Sequence, residues 1–275
     1  MLAVRRWSAA GLRHGVLLAL VVMTLYPVFL MVITSVKDNT EFYENFLWIV
    51  PPFHFSNYAA AWHEVSPYIM NSVIVTGVTV VAVVAFSTLA AYAFARMRFV
   101  GKEVLYYMVI ALMMLPYVLT LVPQFILIKN FGLLDTRWAL ILPYISGGVV
   151  FAIFVLRSFF STLPQELFEA AYIDGASELQ VFWRLGVPLI RPAIGTVAIL
   201  QILGTWNDYI WPSVVLLSDQ FFTMPIGLVA FQSRHTTDWG PLMAGYTLAS
   251  LPLVILFALT TRTFIEGLTQ GGLKL

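Results

Sequence analysis

Two stretches of this chain combine residue types that could do more than span or pack. The first is Leu163-Pro164-Gln165-Glu166-Leu167-Phe168-Glu169-Ala170-Ala171-Tyr172-Ile173-Asp174-Gly175-Ala176-Ser177, continuing through Trp183 to Pro188. It reads as a helix, a sharp turn and a second helix. Ser161 or Thr162 can cap the first helix, Pro164 opens it, Glu166 and Glu169 lie toward its positive end, and Gly175 supplies a left-handed stop. Ser177 with Gln180 forms a capping box for the second. Helices of about ten residues are marginal alone in water, so packing must order them. Leu163, Leu167, Ala170 and Ala171 on the first, and Leu179, Phe182, Trp183 and Leu185 on the second, supply apolar faces. A hydrophobic patch on a loop between apolar runs is chemistry for docking a soluble partner.

The second stretch is Thr205-Trp206-Asn207-Asp208-Tyr209-Ile210-Trp211-Pro212. Its aromatic rings can stack, and its amide and carboxylate can hydrogen-bond. Two readings stand: the rings form an interfacial belt, or Trp206, Asn207, Asp208 and Tyr209 take packing or pathway roles.

Other chemistry is excluded by composition and spacing. The four histidines, His14, His54, His63 and His235, fall in separate segments without a ligand spacing, so no metal site is expected. The lack of cysteine removes disulfides and thiol nucleophiles. No Gly-rich phosphate loop occurs, so the chain is not expected to bind ATP in the Walker manner. No catalytic group and no resident cofactor are expected. A net charge of +1 argues against a nucleic-acid partner.

The elements that must position these stretches are membrane spans. A chain of 275 residues that is 60% hydrophobic and 11% charged cannot bury its apolar surface in a soluble core. Apolar runs over residues 15–34, 69–95, 104–128, 138–156, 191–217 and 241–261 predict an all-α, polytopic transmembrane helical bundle of about six spans. They follow a terminal segment, 1–14, and leave the loop 163–188 and a tail, 262–275. The first run is longer than a signal core and lacks a cleavage pattern, so it reads as a retained span. Pro116 and Pro123 kink or break the third run. Ser35 to Pro67 reads as an ordered, aromatic-rich connection outside the membrane. The apolar run Phe221 to Phe231 is too short to span, and is either re-entrant or a docking surface. Only Lys37, Lys129, Arg137 and Arg234 of the 15 Lys and Arg fall on one side, so the other side, with both termini and the 163–188 loop, is cytoplasmic. Asp208 then lies about 25 Å from the inner interface, toward the outer edge of a core about 30 Å thick.

Glu169-Ala170-Ala171, Asp174-Gly175-Ala176 and Val187-Pro188-Leu189 resemble the EAA loop of ABC importer permeases. The resemblance implies a coupling helix in which Glu169, Ala170, Ala171, Asp174 and Gly175 dock in a cleft of an ATP-hydrolysing subunit. Trp206 to Pro212 resembles the W-N-[DE]-x-x-W-P segment of the carbohydrate-type members, where aromatic planes, amide and carboxylate suit sugar hydroxyls. The ending Glu266 to Leu275 is similar to the G-L-T-x-G-x-x-K tail of the maltose-type second permease subunit, with Leu273 and Leu275 departing from it. That likeness implies ATPase contact through Gln270, Gly271, Gly272 and Lys274. It further implies a bacterial or archaeal cytoplasmic membrane, two ATP-binding subunits, a second homologous permease, and an extracytoplasmic substrate-binding protein reached by the Ser218–Gly240 loop. The cargo implied is a sugar, polyol or glycerol-phosphate compound. Rival readings are a membrane scaffold that uses the loop only for docking, and a secondary carrier; few ionisable groups within the spans disfavour the latter.

Overall fold

Lipid offers backbone amides no partner, so apolar runs must satisfy themselves as helices. The computed structural model describes the backbone of residues 2–272 and the side chains of residues 13–260, and its regular structure there is helical throughout. The α-helices are α1 Leu2–Thr34, α2 Asn39–Glu44, α3 Ser56–Arg96, α4 Lys102–Ala111, α5 Tyr117–Asn130, α6 Trp138–Thr162, α7 Gln165–Ile173, α8 Glu178–Val181, α9 Val187–Leu189, α10 Arg191–Asn207, α11 Ile210–Val215, α12 Met224–Arg234 and α13 Trp239–Gly272. A π turn, Phe182–Gly186, joins α8 to α9. Four helices are long and apolar enough to cross a membrane, and up to six spans result if each of two bent pairs is one span.

Several expected boundaries move. The second span starts earlier, because α3 begins at Ser56 and keeps Pro67 inside it. The third is broken by 100° between α4 and α5. Leu115, before Pro116, is pushed to extended backbone at ψ 116, while Pro123 stays within α5. The fourth runs on to Thr162. Ser161 and Thr162 therefore do not cap the next helix: their hydroxyls donate back to the carbonyls of Arg157 and Phe159 at 2.9 and 2.8 Å, and α7 has no side-chain cap. The fifth ends as a helix at Asn207, where Asp208 turns extended. In the sixth, α13 continues to Gly272, so most of the expected tail is helical backbone. For Gln270, Gly271 and Gly272 only the backbone is described, and all of Lys274 lies outside the described residues.

The chain divides into two compact units, one of Met1–Ser66 and Leu228–Pro252, the other of Pro67–Gly227 and Leu253–Leu275. In the first, Asp38 and Glu41 form a capping box at α2. The buried Lys37 donates to the carbonyls of Asn45, at 2.6 Å, and Phe46 just after that helix. Burial lowers the Lys37 pKa, against the opposing pull of Glu41. Phe42 stacks on Trp239 with centroids 4.9 Å apart.

The second unit has two apolar cores. One gathers Tyr92, Leu156, Phe160, Phe168, Val181, Phe182 and Ile190. The other surrounds Trp211, which is 1% exposed and donates its indole N–H to the Ala139 carbonyl at 2.9 Å. Beside that core, Asp135, at φ 57, closes the turn after α5. Its carboxylate accepts from the backbone N–H groups of Leu217 and Ser218, both at 2.8 Å, and from the Ser218 hydroxyl. Desolvation raises the Asp135 pKa, but these hydrogen bonds outweigh it and hold the carboxyl below its ordinary value.

A depressed folded pKa stabilises above the unfolded value, about 3.9 for Asp, and the gain is lost as pH falls through the lower folded value. Asp135→Asn tolerates the same backbone but removes the charge. It should lower the thermal midpoint in detergent at pH 7, with the gap to the parent closing below about pH 4. Parallel curves across that range would remove Asp135 from the stability argument.

Candidate functional site

The loop joining α6 to α10 is locked on one side and open on the other. Phe168 and Val181 are each 1% exposed, and Phe182 is buried beside them, among Tyr92 of α3, Leu156 and Phe160 of α6, and Ala193 and Val197 of α10. The inward residue of α7 is thus Phe168 rather than Leu167 or Ala170, both of which stay exposed. Leu179 and Trp183 are also exposed, although their spacing placed them on a packing face.

Arg96, at the end of α3, fixes this orientation. Its guanidinium donates to the carbonyls of Phe160 at 2.5 Å and Leu163 at 2.6 Å and to Gln165 Oε1 at 2.8 Å, and it lies 4.1 Å over the Phe168 ring. At the end of α6 the Phe160 carbonyl also accepts the Leu163 N–H at 3.3 Å and the Leu163 carbonyl lies past the last helical residue, so a cation does here what a C-terminal cap does elsewhere. Tyr92 donates to Glu178 Oε1 at 2.6 Å, and Tyr172 donates to Glu178 Oε2 at 2.9 Å. That carboxylate ties α3, α7 and α8 together. Nothing local in the sequence marks this network; Arg96 reads there only as a charge ending a span.

The turn itself matches its local signals. Gly175 has φ +81, and Ser177 and Gln180 make both bonds of the capping box. Of the predicted coupling residues, Glu169, Ala170, Asp174 and Gly175 are exposed, while Ala171 turns inward and packs against the core. Ile173 at 86% exposure and Leu179 at 63% add apolar surface to α7 and α8, whereas Trp183, also exposed, lines an apolar groove with Val84, Thr88 and Leu89 of α3 and Ile194 of α10.

The predicted pathway residues separate by environment. Trp206 is buried, Asp208 is half-buried, and Asn207 and Tyr209 are exposed. Asn207 donates back to the Leu203 carbonyl at 2.9 Å. Asp208 Oδ1 accepts from the Ile210 N–H at 3.0 Å, and Oδ2 accepts from the Tyr144 hydroxyl at 2.8 Å. Asp208 therefore starts α11 and ties it to α6. With Trp206 and Trp211 both inside, packing accounts for these two rings and a lipid-facing belt does not.

Asp38, Glu41 and His54 also meet, with one ligand-type atom from each within 4.8 Å of the others. Their atoms already bond one another: Asp38 Oδ1 accepts the Glu41 N–H at 2.8 Å, Glu41 Oε2 accepts the Asp38 N–H at 3.1 Å, and His54 Nε2 lies 3.3 Å from Glu41 Oε1. The group is a helix cap with an imidazole at its open side.

Apolar helices long enough to span, with a loop helix packed against three of them, define a polytopic membrane protein. Residues 84–270 match the family described as binding-protein-dependent transport system inner membrane component. The arabinooligosaccharides transport system permease protein of Bacillus subtilis is 34% identical, over 91% of this chain and 90% of its own. The diacetylchitobiose uptake system permease protein of Streptomyces coelicolor is 32% identical, over 96% and 89%. A solved bacterial ABC transporter involved in alginate import has the same fold, with a TM-score of 0.78 at 23% identity over 92% of this chain and 96% of that one. The chain belongs to the binding-protein-dependent transport system inner membrane component family. It is a multi-pass permease subunit of an ABC importer.

Each hydrogen bond to a charged group contributes roughly 1.5–3 kcal/mol, so Arg96 outweighs any single apolar contact in ordering α7. Arg96→Ala should speed amide exchange in residues 165–175 by about 10-fold or more in hydrogen-exchange mass spectrometry, leaving α6 protected. Lysine lacks the planar fork that reaches three acceptors, so Arg96→Lys should restore protection only in part. Parent-like exchange in Arg96→Ala would assign the loop's order to the apolar core alone.

Proposed function

We propose that this permease forms half of the translocation pathway for an oligosaccharide and takes its driving force from two separate ATP-hydrolysing subunits. A second, homologous permease supplies the other half, and an extracytoplasmic binding protein delivers the sugar. The observation that carries this reading is the two-sided loop. Its inner face is fastened to α3, α6 and α10, and it presents the exposed Glu169, Asp174, Ile173 and Leu179 to a soluble partner. The lysine and arginine count supports a cytoplasmic side for that face and for both termini. Relatives named for arabinooligosaccharides and diacetylchitobiose support a saccharide cargo.

Glu169→Lys reverses a charge on the exposed face, and Gly175→Pro demands a negative φ where the backbone has +81°. In proteoliposomes holding the full importer, either change should abolish ATP-driven saccharide uptake while membrane insertion persists. Normal uptake by both variants would disprove the docking assignment.

The end of the chain is a second contact. Gln270, Gly271, Gly272 and Lys274 reach the ATPase subunits, because the helix of the sixth span carries the chain through Gly272 on the side assigned to the coupling loop. Deleting residues 270–275 should reduce stimulated ATP hydrolysis and leave the purified complex assembled. Full stimulation of the truncated complex would remove the tail from the interface.

A further inference from the structure

Where the α4–α5 pair bends, that break, α5 and α6 border a cavity of about 380 Å³ that is open on one side. Its wall includes Tyr117, Thr120 and Gln124 of α5 and Ser146, Gly147 and Phe151 of α6. The size is within the range of small-molecule sites. Ser146 lies eight residues into α6 from Trp138. At 1.5 Å per residue that is about 12 Å of helix, close to the middle of a hydrocarbon core about 30 Å thick.

The polar groups on this wall are unsuited to lipid. The Gln124 amide has no hydrogen-bond partner among the described residues, and an amide in hydrocarbon without one costs roughly 4–8 kcal/mol. The hydroxyls of Thr120 and Ser146 donate to the carbonyls of Tyr117 and Pro143 at 2.7 and 2.9 Å, which leaves their oxygens free to accept. Interrupted backbone at membrane depth is tolerated where it is covered by protein or lines a water-filled cavity. The break at Leu115–Pro116 opens onto this space.

We propose that this cavity is the permease's saccharide-contact site and that it takes neutral saccharides. The inference rests on the importer reading above and deepens it. Two aromatic faces, Tyr117 and Phe151, fit the apolar faces of sugar rings, and an amide with two hydroxyl oxygens fits their edges. No Asp, Glu, Lys, Arg or His lines the cavity, so nothing there compensates a carboxylate or phosphate carried into a low dielectric. The Trp206–Tyr209 stretch acts behind this wall: Asp208 is held by Tyr144, which lies on α6 between the cavity residues Pro143 and Ser146.

This chain contains no cysteine, so one introduced thiol, read on the separated permease after labelling, gives a direct test in the complete importer. Gln124→Cys should react with a charged, membrane-impermeant methanethiosulfonate in vesicles of one orientation or the other, and a transported neutral saccharide should slow that reaction. Val122→Cys, on the opposite side of α5, should resist the reagent and transport like the parent. A Cβ added at Gly147 meets no atom within 4 Å, so Gly147→Leu fills the cavity without displacing its own chain. Gly147→Leu and Gln124→Leu should each raise the uptake KM for arabinooligosaccharide or diacetylchitobiose at least 10-fold, with assembly verified by co-purification of the ATPase. Alginate oligosaccharide should not slow labelling at Gln124→Cys.

An unreactive Gln124→Cys in both orientations would show the space filled by lipid or a partner helix and would overturn the site. Parent-like KM in both leucine variants would overturn it equally. Protection by alginate oligosaccharide would overturn the neutral-ligand assignment. A parent complex that moves no saccharide would overturn the importer reading and the saccharide assignment together, and that blank separates this failure from failure of the cavity alone.

Discussion

An unpaired backbone amide or carbonyl inside hydrocarbon costs several kcal/mol, and that constraint governs where this chain can stop being helical. In the connections that flank the spans and at their ends, a charged side chain supplies the missing partner. Lys37 donates to two carbonyls after α2, and Arg96 to two carbonyls where α6 ends. Asp135 accepts from two N–H groups after α11, and Asp208 accepts from the first N–H of α11. Charges are rare in a chain this apolar, and these four are fixed by the backbone ends they satisfy rather than by ion pairing.

This explains why the spans are legible in the sequence and their boundaries are not. An apolar run of twenty residues has one stable solution in lipid, so the presence of α1, α3, α6 and α13 follows from composition. A helix end depends on what receives its leftover carbonyls. For α6 that receiver is Arg96, distant in sequence, and the helix therefore passes through the polar Ser161 and Thr162 before stopping at Leu163. Signals whose physics is contained in a few residues survive intact: the positive φ of Gly175 and the reciprocal bonds of Ser177 and Gln180 lie where the sequence placed them.

The same distinction decides which face of α7 is buried. Leu167, Phe168, Ala170 and Ala171 are all apolar enough to turn inward, and a nine-residue helix is too short for periodicity to choose among them. The guanidinium over the Phe168 ring chooses Phe168, and Ala171 follows it inward as the neighbour three residues on. Leu167 is thereby left outside, together with Ile173. Apolar surface that the spacing assigns to internal packing becomes surface available to a partner.

A force applied at that outer face has little slack to absorb it. The inner face is close-packed, and packed interiors are stiff on the scale of side-chain movements. The loop passes into α10 through Ile190, 2% exposed, at a 73° corner flanked by Pro188 and Pro192, whose rings fix φ. The contacts of α7 thus continue into α10 at this corner and into α6 through Phe160. At its far end α10 gives way to Asp208, where the Tyr144 bond joins the two routes again on α6 beside the cavity wall. Each joint along this route is a hydrogen bond or a buried ring rather than a flexible linker.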